Sequence, residues 1–394
     1  MNITVPGFRF AGVSCGIKRS KKRDLALIVS ERPATAAAVF TTNRVKAAPV
    51  LTGMKRVRRG KIQAVVVNSG NANACTGKQG MRDAENMCRL VGARLGIDPN
   101  RVVPSSTGVI GVPLPMQKVI RGVGKAADVL SPDSFSLAAT AILTTDRVPK
   151  TSMTACRLDG KKVVVAGMAK GAGMVAPRMA TVLGYILTDA AVDPACLRDI
   201  LSRTADRTFN AVTVDGDTST NDTILFLANG VAGNRAVRKG GKDAKKLEKA
   251  VSKVMKDLAL MLVADAEGGT KVAEILVEGA RSPAEAKKVA SAVANSNLVK
   301  TAFFGEDPNL GRIMAAVGYA DVPLDPDKID VSLGGVRVVR RGMALRETQS
   351  QAARIMRQRS YQVRINLRRG KQTASVWTSD LSTGYVRINS AYRT

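Results

Sequence analysis

Thr181 stands where a stretch of small residues gives way to an apolar run. The segment reads Lys170-Gly171-Ala172-Gly173-Met174-Val175-Ala176-Pro177-Arg178-Met179-Ala180-Thr181, and Val182-Leu183-Gly184-Tyr185-Ile186-Leu187 follows. A short continuous apolar run bounded by turn-forming residues reads as a buried strand. A hydroxyl is thereby placed at the entry of a strand. If the chain were cut just before Thr181, that residue would carry a free α-amine beside its hydroxyl, a nucleophile and its own base within one residue.

Composition narrows the chemistry around this threonine. The 394 residues exceed one simple core, so two or more packed units are expected. Apolar residues at 45% and 35 glycines fit a folded α/β protein. Aromatics at only 4% leave the core to Val, Leu, Ile, Ala and Met. No apolar run approaches the ~20 residues that span a bilayer. Residues 1–7 lack the basic start and apolar stretch of a secretory signal. The five cysteines (Cys15, Cys75, Cys88, Cys156, Cys196) are odd in number and scattered, which points to a reduced, cytoplasmic setting. Histidine is absent, which excludes a Ser-His-Asp or Cys-His mechanism and an imidazole-based zinc site, and no metal is expected. An α-amine, titrating at roughly 7.7–8.0 before perturbation, is one of the few bases left near neutrality.

The formal net charge is +29, with clusters such as Lys18-Arg19, Lys21-Lys22-Arg23, Arg58-Arg59, Lys245-Lys246 and Arg340-Arg341. Such an excess favours contact with anionic surfaces, and a basic nucleic-acid-binding protein is one alternative reading. The clusters are spread along the whole chain, however, and few aromatics are interleaved for base stacking. The charge is therefore read as solvated faces, with no specific nucleic acid and no membrane as partner.

Branched apolar residues predict strands over 24–30, 37–41, 62–68, 162–166, 182–187 and 224–228. Spacing by three and four predicts helices over 80–95, 136–143, 194–210, 242–264 and 282–295. The last of these opens on Ser282-Pro283-Ala284-Glu285, which has capping-box character. From about 325 onward, short alternating segments such as Tyr361–Leu367 read as mostly strand. The expectation is a layered α/β (α+β sandwich) fold, with a catalytic core over 1–280 and a smaller C-terminal α+β domain over 281–394.

Other segments carry chemistry only in combination. Ser105-Ser106-Thr107-Gly108-Val109-Ile110-Gly111 sets a hydroxyl beside a glycine N–H, two donors that can face one developing oxyanion. Thr144-Thr145-Asp146 and Asp265-Ala266-Glu267-Gly268-Gly269-Thr270-Lys271 add hydroxyl and carboxylate groups. Gly171-Ala172-Gly173 is not a phosphate loop, because the Walker spacing is missing.

Taken together, the chain resembles the ornithine acetyltransferases, the glutamate N-acetyltransferases also called bifunctional arginine-biosynthesis proteins. The 170–181 segment is similar to their self-cleavage motif Lys-Gly-x-Gly-Met-x-x-Pro-x-Met-Ala-Thr. The likeness continues through the segments above and through Asn68–Gly77, Val214–Thr223, Val299–Asn309 and the C-terminal Tyr385–Thr394, so it runs from about residue 7 to the last residue. The chain departs from the family pattern at Arg178, at Leu310 and in its lack of histidine.

The resemblance implies a proenzyme with a self-cleaving N-terminal-nucleophile-like core, cut between Ala180 and Thr181 into an α chain (1–180) and a β chain (181–394). It implies Thr181 as nucleophile and the Thr107–Gly108 pair as oxyanion hole. Substrate contacts would come from Thr144 (with Thr145 as the alternative), Lys170, Thr181, Glu267, Asn389 and Thr394. The reaction implied is transfer of acetyl from N-acetyl-L-ornithine to L-glutamate through an acetyl-threonine, without cofactor, in an α2β2 assembly. Some members also use acetyl-CoA as donor, and this sequence leaves open which type it represents. A self-cleaving amidohydrolase or aminopeptidase relative, with water as acceptor, is the nearest alternative.

Overall fold

The computed structural model describes residues 3–176 and 182–391. Strands β1 (Phe8–Val13), β2 (Leu25–Phe40), β3 (Lys61–Asn71), β4 (Val102–Val109), β5 (Lys150–Leu158), β6 (Lys161–Lys170) and β7 (Leu183–Thr188) come first in the chain. The short β8 (Val212–Thr213) joins a second sheet, and β9 (Thr223–Ala228) returns to the first. The first sheet runs β4-β3-β2-β9-β7-β6-β5, with β1 on β2.

The regions read as two strands, 24–30 and 37–41, are one strand, β2, in the structure. Its register with β3 slips between Val29 and Ala34. Pro33 has no N–H to donate, so the ladder is interrupted there and the strand bends without ending. Before the slip β2 pairs with β1, and after it with β9. The bend folds the sheet on itself. Phe8, Phe10, Ile28 and Val67 from one half meet Met168, Tyr185, Leu187, Leu225 and Leu227 from the other in one core.

Helices cover both outer faces. Gly77–Leu95 and Met116–Asp128 pack over Leu25, Leu27, Ala64 and Val66. Pro194–Arg207 and Lys242–Ala264 pack over the alternate residues of β6, β7 and β9. The result is a helix–sheet–sheet–helix stack, the layered α/β class expected from the sequence. Along Lys242–Ala264 the buried positions include Leu247, Val251, Val254, Leu258 and Leu262, each worth about 1.5–3 kcal/mol of burial. Gly167 of β6 lets this helix approach: a Cβ there would lie 2.9 Å from Leu258 Cδ1 and 3.0 Å from Val254 Cγ1.

The second sheet uses β10 (Val272–Ala280), β11 (Asp330–Leu333), β12 (Val336–Arg340), β13 (Met343–Ala344), β14 (Ser360–Asn366) and β15 (Gln372–Ser379), ordered β13-β12-β11-β14-β10-β15-β8. Helix Pro283–Asn295 covers one face, and Ser282 Oγ accepts the Glu285 N–H at 3.1 Å, as the capping pattern predicted. The region after 325 is less uniformly strand than expected. It includes helices Gln349–Met356 and Thr383–Ala391. Among the described residues, no helix is long and apolar enough to cross a membrane.

Candidate active site

Residues far apart in sequence converge at one end of the folded first sheet. Thr107 and Gly108 end β4, Lys170 ends β6, and Thr144 and Thr145 precede β5. Glu267 lies in the turn after helix Lys242–Ala264, and Asn389 lies on the last helix. All of these line one cavity of about 230 Å³, together with Met174, Asp215, Asp217, Asn221 and Tyr385. Ala180, Thr181 and Thr394 lie outside the described residues.

Gly108 has φ +133, and a Cβ there would collide with the Gly70–Asn71 backbone, so only glycine fits. The contact holds β4 tightly against β3 and fixes the Thr107–Gly108 peptide at the cavity wall. Thr107 is buried, and the Lys170 ammonium lies 3.4 Å from its Oγ1.

A buried ion network supports this wall. Asp146 accepts from Lys150 Nζ at 2.6 Å, Gly171 N at 2.6 Å and Thr144 N at 3.0 Å, and Lys170 Nζ stands 3.9 Å away. Lys150 also donates to Asp265 at 2.6 Å, and Asp265 accepts Arg147 Nε at 2.9 Å. Burial works against a charged Asp146, but Lys170, Lys150 and the Gly171 N–H prevail and hold its carboxyl at about 2. Lys170 has a longer ion pair and full burial, which pushes its ammonium below the usual lysine range. The network thus binds three separate sequence segments, 144–150, 170–171 and 265, into one unit.

The polar loop after β8 grips both flanks of the 177–181 segment. Upstream, Asp215 accepts Met174 N at 2.5 Å and Val175 N at 2.8 Å, and Val214 N donates to Val175 O at 2.8 Å. Downstream, Asp222 Oδ1 accepts Val182 N at 3.0 Å and Thr223 N donates to Val182 O at 3.0 Å. Asn221 ties the same loop to β4 by donating to Ser106 O at 2.8 Å and Ala72 O at 2.6 Å.

The last helix closes the cavity. Tyr385 Oη donates to Asp215 at 3.2 Å, and Asn389 Nδ2 donates to Glu267 Oε2 at 2.9 Å. Glu267 lies directly against Gly173, where any Cβ would overlap its carboxylate, and its own N–H bonds Ala172 O at 2.9 Å. The glycines at 171–173 thus allow close approach of a carboxylate.

Sequence reasoning singled out the hydroxyls and Glu267 but gave no role to Asp146, Lys150, Asp215, Asn221, Asp222 or Tyr385. Each sits inside or beside a segment already noted for its family likeness. Their individual roles depend on burial and partners that only the fold supplies. The electrostatics were equally hidden. In a chain of net charge +29, the described residues lining this cavity set Asp215, Asp217 and Glu267 against one cation, Lys170. The basic clusters lie elsewhere, with Lys21, Lys22, Arg58, Arg59, Arg340 and Arg341 exposed to solvent.

Comparison with known proteins fits this geometry. The sequence model of the ArgJ family matches residues 9–394. The arginine biosynthesis bifunctional protein ArgJ of Geobacter sulfurreducens is 48% identical over 393 residues, covering 100% of both chains. Its counterpart in Symbiobacterium thermophilum is also 48% identical, over 100% of this chain and 98% of that one. A solved ArgJ chain from Bacillus halodurans, 36% identical, superposes with a TM-score of 0.51 over 53% of this chain and 98% of its own length. Fold, cavity and likeness define an acetyltransferase of arginine biosynthesis. The chain belongs to the ArgJ family, which bears out the resemblance read from its motifs.

Proposed function

We propose that this acetyltransferase moves acetyl from N-acetyl-L-ornithine to L-glutamate through Thr181, after cutting itself between Ala180 and Thr181. The observation that carries the reading is the convergence of Thr107, Gly108, Thr144, Lys170, Glu267 and Asn389 on one acidic cavity whose neighbouring loop binds residues 174–175 and 182. Cleavage leaves chains 1–180 and 181–394, and two of each form the assembly. The solved relative from Bacillus halodurans is matched over 98% of its own length while covering 53% of this chain, as one fragment of a cut chain would be.

In the cleaved enzyme the α-amine of Thr181 takes the proton of its own hydroxyl, directly or through water, and the oxygen attacks the acetyl carbonyl. The Thr107 hydroxyl and the Gly108 N–H stabilise the oxyanion. Glu267, held by Asn389, pairs with a substrate ammonium. Lys170 faces a substrate carboxylate, and Thr144 and Thr394 serve as further substrate-binding residues. Ornithine leaves, and glutamate then takes the acetyl group from Thr181. No cofactor enters the scheme, and acetyl-CoA serves as a second donor if this is a bifunctional member. The setting is the cytoplasm.

The acetyl-enzyme makes a direct test. Given N-acetyl-L-ornithine alone, the purified protein is expected to release ornithine and retain acetyl on the peptide beginning at Thr181, and glutamate is expected to discharge it as N-acetylglutamate. Release of acetate at the same rate with and without glutamate would instead support the amidohydrolase reading. Thr107→Val keeps the shape of the side chain but removes one oxyanion donor. It is expected to lower kcat by about 10²-fold with little change in KM, checked by steady-state rates.

A further inference from the structure

In the uncut chain the mechanism lacks its base. The nitrogen of Thr181 is then a peptide nitrogen, and the chain has no histidine. The first attack, on the Ala180 carbonyl, therefore needs another proton acceptor beside Thr181.

Asp222 holds the residue that follows Thr181. It is almost wholly buried at 1% exposure. Its Oδ1 accepts the N–H of Val182 at 3.0 Å, and that N–H belongs to the peptide bond joining Thr181 to Val182. Its Oδ2 is buried with no hydrogen-bond partner among the described residues. A buried carboxyl oxygen left without a hydrogen bond is destabilising, so it calls for a use. Burial raises the carboxyl well above its usual range, against the Val182 N–H and the charge of Lys170, which favour the ionised form. The other buried base nearby, Lys170, is directed to Thr107 and Asp146.

We propose that Asp222 accepts the hydroxyl proton of Thr181 during self-cleavage and returns it to the departing amine. This rests on Thr181 being the nucleophile. As the proton moves to Asp222 Oδ2, Thr181 Oγ bonds to the Ala180 carbonyl carbon. The Ala180–Thr181 C–N bond then breaks, and the leaving nitrogen takes the proton back from Asp222. The product is an ester of Ala180 on the Thr181 oxygen with a free amine. Water hydrolyses the ester to the Ala180 carboxylate and the free hydroxyl. Asp222 ends as it began.

The test follows conversion of freshly made full-length chain into its two fragments, for the unaltered protein, Asp222→Asn, Asp222→Glu and Thr181→Ala, between about pH 5 and pH 9. The unaltered rate is expected to fall on the acid side as Asp222 becomes protonated. Asp222→Asn, which can still accept the Val182 N–H, is expected to cut at least about tenfold more slowly and to lose that acid limb. Asp222→Glu is expected to recover a limb at a shifted pH. An Asn chain that cuts at the unaltered rate, or more slowly with the acid limb intact, overturns the proposal. If the Asn chain does not fold, the Glu chain decides, since an unmoved limb also overturns it. Fragmentation of Thr181→Ala would instead remove the underlying reading of Thr181.

Discussion

Thr181→Ala is expected to remain a single uncut chain and to lose acetyl transfer by about 10⁴-fold or more, the scale on which a covalent nucleophile and its base act as a unit. The substitution removes the oxygen that attacks Ala180 and the one that carries the acetyl group. It also prevents formation of the free amine that would serve as base. Fold and cavity should survive, because Asp215 and Asp222 hold the flanks of the segment. Thr181→Ser, which retains the hydroxyl, should still cut and transfer. Ornithine release and chain length, measured on both variants, check this. Full activity in an uncut Thr181→Ala chain would mean that another group carries the acetyl.

The second large effect concerns stability. Asp146→Ala removes the shared partner of two buried lysines. Lys150 keeps Asp265 at 2.6 Å, but Lys170 loses its nearest carboxylate inside the fold. Breaking a buried charge pair from one side typically destabilises by about 3–5 kcal/mol, because the remaining charge is left uncompensated. A marked fall in Tm is expected, with loss of activity as the 144–146 and 170–171 segments separate. The sign with pH is fixed by the depressed carboxyl, held at about 2 against 3.8 for a free one. Asp146 contributes its full stabilisation above the ordinary carboxyl value, and this contribution is lost as pH falls through about 2. The gap in Tm between the unaltered protein and Asp146→Ala should therefore persist at neutral pH and narrow in strong acid. An unchanged Tm at neutral pH would contradict the assignment of Asp146 as the hub.

Long, strongly periodic elements were legible in the sequence. The helix predicted over 242–264 is Lys242–Ala264 in the structure, because an uninterrupted apolar stripe faces the sheet. The run after Thr181 is β7, buried throughout. Less legible were elements whose local preferences conflict with their packing. Pro33 and the exposed Glu31 and Arg32 made β2 look like two strands. The last helix carries β-branched Val386 and Ile388 on exposed positions and reads as strand. Its side chains hold it by tertiary contacts, Tyr385 on Asp215 and Asn389 on Glu267. The site was visible as motifs but not as a network. Nothing local to Asp146 or Asp222 announces that one is clamped between cations and the other has an oxygen unpaired among the described residues. Both facts arise from chain crossings between segments far apart in sequence.

The central claim is that Thr181 becomes an N-terminal residue by the action of the chain itself, and intact-mass spectrometry of the purified, unaltered protein tests it most directly. The account predicts two fragments whose masses divide the chain between Ala180 and Thr181. A single species at the full 41.6 kDa would contradict it.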